Sequence, residues 1–426
     1  MSQKRILVAH ADLAAGGGAE AFAKAMIREL RAEGHIVGTL DINGHWPHDG
    51  RRRMPWPLAV GTGWVTRRFT LWKYALVCRA LPKVARGYDQ VILAFGEGPA
   101  LAVPTLRMLH APALFLTDPE ALAVLGAKTS GVALRLRQAY ARLCRAIARP
   151  DIHGTDGTAT LANSLWTARR AAEWHGVTGV RVLYPEVRSP ARLKSPPQRD
   201  PYRILALGRI VPGKRLEDAV TVTEALRNQG LPARLHVVGR ADSAYARRFL
   251  RAHAHHPNVQ LSPNASPRAV AEAMARARIG FHGYRQEHFG IAVGEMISAG
   301  LLPMVYDGGG VCELVPDERM RFRTRAEAAR HTRLLMELSD EDGQALTRML
   351  QSTPALTQAR AFELCLAQIM AEHLGPSHVP RARVDLSLHN QATQTPLILT
   401  DPLADPRPEP GFLRQKKGLI QRKITH

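Results

Sequence analysis

Gly283-Tyr284-Arg285-Gln286-Glu287-His288-Phe289-Gly290-Ile291-Ala292-Val293-Gly294-Glu295 sets two carboxylates eight residues apart in a stretch that is otherwise mostly apolar. Ile279 to Gly283 reads as a buried strand, Ile291 to Ala299 as a helix stopped at Gly300, and Leu302 to Tyr306 as the next strand. Glu287 therefore falls in the loop at a strand end and Glu295 inside the following helix. On one continuous helix the two would be about 80° out of phase. Split between loop and helix, both can line one pocket. There each carboxylate can accept paired hydroxyl donors, one from a sugar and one from a ribose diol.

The same strand–helix alternation extends to both sides. Upstream in the same half come strand Arg203 to Leu207, helix Leu216 to Asn228, strand Arg234 to Val238 and helix Ser243 to His253. Strand Val259 to Leu261 and helix Pro267 to Arg276 follow. The first half shows strand Arg5 to Ala11, an amphipathic helix Ala19 to Ala32 and strands at Ile36 to Ile42, Val91 to Phe95 and Leu114 to Leu116. This is the pattern of parallel sheets with crossover helices. The fold class expected is α/β, with two doubly wound domains facing across a cleft at the carboxyl ends of their strands. Residues 1–190 form the first domain, 191–201 a linker rich in Pro, Ser, Lys and Arg, 202–355 the second domain, and 356–375 a closing helix. Seven prolines between Pro376 and Pro410, then a basic end, make 376–426 a tail expected to be disordered.

A length of 426 residues suits two domains, and 45% hydrophobic with 22% charged residues excludes wholesale disorder. The four cysteines are widely spaced with no CxxC pair, which argues against a disulfide framework or a structural zinc site. No apolar run is long enough to span a bilayer, and His10 and Asp12 interrupt the first one too early for a signal peptide. The chain is expected in the cytoplasm. Lys plus Arg number 58 against 37 Asp plus Glu, a formal charge of +21 that calls for an anionic partner.

Two further loops carry charge or glycine where a strand runs into a helix. Gly16-Gly17-Gly18-Ala19-Glu20 lets backbone N–H groups approach an anion at a helix N-terminus. Gly16, Gly18 and Ala21 also satisfy G-x-G-x-x-G/A with Asp41 near the end of the next strand, the pattern of a dinucleotide dehydrogenase. Asp12 to Ala15, however, separate the strand from the first glycine, and in that fingerprint the glycines follow almost at once. In the second half, Gly208-Arg209-Ile210-Val211-Pro212-Gly213-Lys214 puts two cations five residues apart across a Pro-Gly turn. Such a pair suits a diphosphate whose charge must be neutralised as it departs.

Glu287 to Gly300, followed by Asp307-Gly308-Gly309-Gly310 and Glu313, resembles the donor half of retaining glycosyltransferases of family four, which have the GT-B fold. Glu287 and Glu295 match the E-x7-E signature, and Gly208-Arg209 with Lys214 looks like G-R-x4-K. Ala162-Asn163-Ser164, Tyr184-Pro185, the glycine loop ending in Glu20 and His110-Ala111-Pro112 are similar to further landmarks, so the resemblance covers about residues 5 to 370. It implies that Arg209 and Lys214 hold the donor diphosphate, Glu295 the ribose, and Glu287 the transferred sugar with the backbone of Phe289, Gly290 and Ile291. It also implies that Gly17 and Gly18 approach the diphosphate or the acceptor, and that His110 positions the sugar or the acceptor hydroxyl. No metal or other cofactor is implied. The segments around Asn163 to Arg169 and Val259 to Glu295 look most like mannosyltransferases of lipid-linked oligosaccharide assembly, which favours GDP-mannose over UDP-sugars as donor.

For the acceptor, the basic excess is the guide. Arg51 to Arg86 carries nine Lys or Arg, no acid, and Trp56, Trp64, Phe69, Trp72 and Tyr74; Ala121 to Pro150 carries six more and no acid. Cations mixed with aromatic rings suit the interface of an anionic bilayer. The expectation is therefore peripheral attachment to the inner membrane face and a lipid-linked glycan as acceptor. DNA with modified bases is the alternative acceptor, since the same cations neutralise a phosphate backbone. A catalytically inactive binding protein on this fold is the third reading.

Overall fold

The computed structural model describes residues 3–374 except 16, 62–68, 112–113, 116, 119–121, 123–130, 152–157 and 192. Gly16, Trp64, Pro112 and the tail 376–426 thus lie outside the described residues. In chain order the first half contains β1 (Arg5–Ala9), α1 (Gly18–Ala32), β2 (Ile36–Asp41), β3 (Gly44–Trp46), α2 (Leu58–Gly61), α3 (Thr70–Ala85) and β4 (Gln90–Leu93). After these come β5 (Thr105–Leu109), α4 (Gly131–Ala148), β6 (Thr158–Ala162), α5 (Leu165–His175) and β7 (Arg181–Val182). The second half contains β8 (Asp200–Leu207), α6 (Leu216–Asn228), β9 (Arg234–Gly239), α7 (Ala244–His253), β10 (Val259–Pro263), α8 (Pro267–Arg276) and β11 (Ala277–His282). It continues with α9 (Ile291–Ser298), β12 (Leu302–Tyr306), β13 (Arg321–Phe322), α10 (Arg325–Glu337), α11 (Asp340–Gln351), α12 (Pro354–Arg360) and α13 (Phe362–Leu374).

Each half builds an open sheet. Among the described residues the first has the order β3-β2-β1-β4-β5-β6-β7, parallel except for the β2–β3 hairpin, and the second β10-β9-β8-β11-β12-β13, all parallel. Central strands are buried on both faces: Ile6, Leu7, Val8 and Ala9 have no exposed area, so they read as continuous apolar runs. Serines turn strands into helices, as where the Ser243 and Ser266 side chains accept hydrogen bonds from Ala246 and Ala269 N–H. This is the GT-B architecture.

Of the expected strand Leu114 to Leu116, Leu116 lies outside the described residues, and Leu114 and Phe115 are not in a strand. The strand in that part of the sheet is β5, and the N–H groups of Leu114 and Phe115 donate instead to the buried Glu97 carboxylate, at 2.7 and 3.4 Å. Two residues of the stretch 191–201 belong to β8, which starts at Asp200, and the helix expected at 356–375 is broken at Ala361 into α12 and α13. That last helix returns to the first domain. Phe362, Cys365, Leu366, Ile369 and Met370 pack against Phe22, Met26, Leu30, Ile6 and Val8 in one core. The basic aromatic stretch also divides: Trp72 and Tyr74 pack toward the core of the first domain, whereas Trp56 is 67% exposed. No helix among the described residues is long and apolar enough to cross a membrane.

Candidate active site

In the second sheet the strand order reverses between β8 and β11, which are neighbours although other elements separate them in the chain. The loops leaving their carboxyl ends diverge there and open a crevice. One is Gly208 to Arg215 and the other Gly283 to Gly290. Topology alone therefore brings Lys214 to Glu287, whose Oε2 it meets at 2.8 Å. The same oxygen accepts from His282 Nε2 at 2.8 Å, which fixes that imidazole as the Nε2–H tautomer. Burial works against the charge of Glu287, but Lys214 and His282 outweigh it and hold the carboxyl well below its ordinary range. Lys214 also lies 5.2 Å from the centroid of the Tyr284 ring. Arg209 makes no ion pair or hydrogen bond among the described residues and is exposed at the crevice mouth.

The cleft between the domains has a volume of about 540 Å³ and receives residues from both sides. From the first domain come Gly18 and Ala19 at the start of α1, His110 directly after β5, and Asn163 after β6. From the second come Arg209, Lys214, Glu287, Phe289, Gly290 and Ile291. The N-termini of α1 and α9 both open into it, so free backbone N–H groups and two helix dipoles face the same space. Gly290 caps α9 with φ +99°, and a Cβ there would sit 3.0 Å from Val311, so the turn that starts α9 requires glycine. Burial pushes His110 down to about 3, leaving a neutral imidazole against the edge of Phe22 with a buried Nε2 that has no hydrogen-bond partner among the described residues.

A third carboxylate ties the two halves together. Glu313 accepts from the N–H groups of Leu165 and Trp166, the first turn of α5, at 3.0 and 2.9 Å, and from the Tyr184 hydroxyl at 2.9 Å. Its own loop is bridged to the crevice: Gly309 pairs with Glu287, and Gly310 N–H donates to the Glu287 carbonyl at 2.7 Å. A Cβ on Gly310 would lie 2.0 Å from the His288 carbonyl, so this close approach requires glycine. Trp166 stacks on His288 at 5.6 Å, and Asn163 Nδ2 donates to the His110 carbonyl at 3.0 Å. The start of α5 thus holds His110 on one side and the Glu287 loop on the other.

Most of the residues singled out in the sequence meet in this cleft: His110, Arg209, Lys214, Glu287, Phe289, Gly290, Ile291 and Gly18. Gly17 is the N-cap of α1 and Glu20 lies in its first turn, both outside the lining. Glu295 is one turn inside α9, also outside the lining; it has no partner among the described residues, and burial pushes its carboxyl up to about 7. Sequence reasoning missed His282 and Tyr284. An imidazole ending the strand before the Glu287 loop was the available signal for the first; Tyr284 had none. Among the described residues no cluster of three His, Cys, Asp or Glu side chains could hold a metal ion.

The two facing doubly wound domains with a cleft between them have the GT-B fold. Residues 188–344, which span most of the second domain, match the family model described as glycosyl transferases group 1. WaaG, a glycosyltransferase involved in lipopolysaccharide biosynthesis, shares the fold at a TM-score of 0.58 and 16% identity, over 84% of this chain and 95% of its own. Sucrose-phosphate synthase from Thermosynechococcus elongatus does so at 0.59 and 16%, over 87% and 99%. HepE from Anabaena, in complex with UDP and glucose, is similar at 0.52 and 15%, over 87% and 99%. No curated protein matches the chain.

Proposed function

We propose that the protein transfers a hexose, mannose from GDP-mannose before a UDP-linked sugar, to a hydroxyl of a lipid-linked glycan at a membrane surface, with retained anomeric configuration and without a metal. The observation that carries this reading is the uncommitted Arg209 beside the Lys214–Glu287 pair, facing two helix N-termini and His110 across one cleft. Arg209 and the first N–H groups of α9 receive the diphosphate, with Lys214 behind them. Oε1 of Glu287, which takes no hydrogen bond among the described residues, accepts from sugar hydroxyls. Glu295, one turn inside α9 and without a partner among the described residues, takes the ribose diol through its carboxyl group. The acceptor hydroxyl attacks on the face from which the diphosphate departs. The sugar–phosphate C–O bond breaks as the glycosidic C–O bond forms, and the hydroxyl proton passes to the leaving phosphate oxygen. Neutral His110 orients one of these hydroxyls rather than adding a second positive charge.

The fold shared with HepE, solved with UDP and glucose, supports a nucleotide-sugar donor. The basic first domain supports an acceptor reached from an anionic surface. The test is label transfer from a pool of radiolabelled nucleotide sugars, with cell lipid extract and base-modified DNA offered together. Label is expected in the organic phase and lost when GDP-mannose is omitted, and Lys214→Ala and Glu295→Ala are each expected to abolish it with the fold intact. Label on DNA would overturn the acceptor, and normal activity in either variant would overturn the site.

A further inference from the structure

Helix α4 has two apolar faces. Ala141, Cys144 and Ala148 are buried on the side facing α3. On the other side Val132, Leu136 and Leu143 are 72%, 66% and 54% exposed. At 100° per residue these three fall within about 40° of one another, and their centre lies roughly 130° from that of the buried three. The face is extended by Phe69, 48% exposed, whose ring sits 5.7 Å from that of Tyr140, one turn from Leu136 and from Leu143. Exposed leucines scattered singly need no explanation, but a stripe along one helix does. Arg135 and Arg142, seven residues apart, flank one side of the stripe, and neither α3 nor α4 contains an acid.

This combination selects its occupant. A second copy docked on the stripe would bring like-charged arginines together. A nucleic acid would use the arginines but leave the apolar stripe in water. An anionic bilayer satisfies both, with leucine and valine entering the acyl boundary and the guanidiniums meeting headgroup phosphates. We infer that the outward face of α4, with Phe69, docks the protein on an anionic phospholipid bilayer. The membrane contact thus moves from Trp72 and Tyr74, which pack inward, to a helix whose leucines were not singled out. The inference rests on the membrane-surface acceptor reading but is tested without turnover.

The experiment is co-sedimentation of the full chain with vesicles of phosphatidylcholine alone, or of phosphatidylcholine and phosphatidylglycerol in equal parts. Binding is expected to the mixed vesicles only. Leu136→Asp with Leu143→Asp should weaken it about tenfold or more. Arg135→Gln with Arg142→Gln should weaken it about 25-fold, at roughly fivefold for each arginine near an anionic surface. Both pairs are exposed, so the thermal midpoint should stay unchanged. Equal binding to neutral vesicles, or mixed-vesicle binding that the leucine variant leaves intact, overturns the inference. So does a dimer in solution that the leucine variant splits, or duplex DNA binding lost with the arginines while vesicles stay unbound. Vesicle binding without sugar transfer would instead count against the transferase reading alone.

Discussion

Glu287 and Glu295 are the same residue type eight positions apart, yet their surroundings drive their carboxyl groups in opposite directions. Lys214 and His282 hold Glu287 ionised, whereas Glu295 has only burial acting on it. A carboxyl raised to about 7 in the folded chain favours the protonated form there. Its stabilising influence is therefore full below the unfolded value, near 4.5, and is lost as pH rises toward 7. Glu295→Gln removes this penalty. Relative to the parent, the variant should gain about 2 kcal/mol between pH 5 and pH 8, a figure reduced for the partial exposure of the site. Urea unfolding at the two pH values checks it; a gap independent of pH would mean that Glu295 is not desolvated. The carboxylate types were legible from spacing. Their protonation was not, because it depends on Lys214, distant in sequence, and on His282, whose orientation only the packed loop fixes.

Among the elements, α5 does the most to align the site. Its first two N–H groups have no intrahelical acceptors, and Glu313 from the other domain supplies them. Glu313→Ala leaves those donors and the Tyr184 hydroxyl unpaired, and should cost about 3 kcal/mol with a fall in transfer rate. Tyr184→Phe removes one donor and should cost about 1 kcal/mol. Thermal unfolding with initial-rate assays decides: a Glu313→Ala protein as stable and active as the parent would rule out the alignment role. Elements of the second domain were readable, with α6, α8 and β12 at the expected residues, because each alternates a buried strand with a capped amphipathic helix. The misread strand at Leu114 failed for a local reason: Glu97 takes N–H groups that apolar residues would otherwise offer to a sheet.

At the scale of the whole molecule the chain's order and its packing diverge. The first domain is completed by α13, whose Phe362, Leu366 and Ile369 cover α1, with Arg28–Glu363 and Arg181–Glu372 pairs at the rim. Residues 1–190 alone therefore lack part of their own core. Phe362→Ala should cost about 3–5 kcal/mol, and a fragment of 1–190 should unfold without a cooperative transition, both read by circular dichroism against denaturant. A fragment as cooperative as the full chain would show that α13 is dispensable.

The repeating alternation of apolar strand and amphipathic helix was enough to determine two doubly wound domains, since burial period and caps are properties of adjacent residues. So were the glycine loops and the spacing of Arg209, Lys214, Glu287 and Glu295, which are local to strand ends. Tertiary structure alone decided that Lys214 neutralises Glu287 while Arg209 has no ion pair among the described residues, because β8 and β11 become neighbours only when the sheet order reverses between them. It alone decided that Glu313 caps a helix of the opposite domain and that the apolar face of α4 stays in solvent. Those outcomes depend on which surfaces meet, and the residues that meet are far apart along the chain.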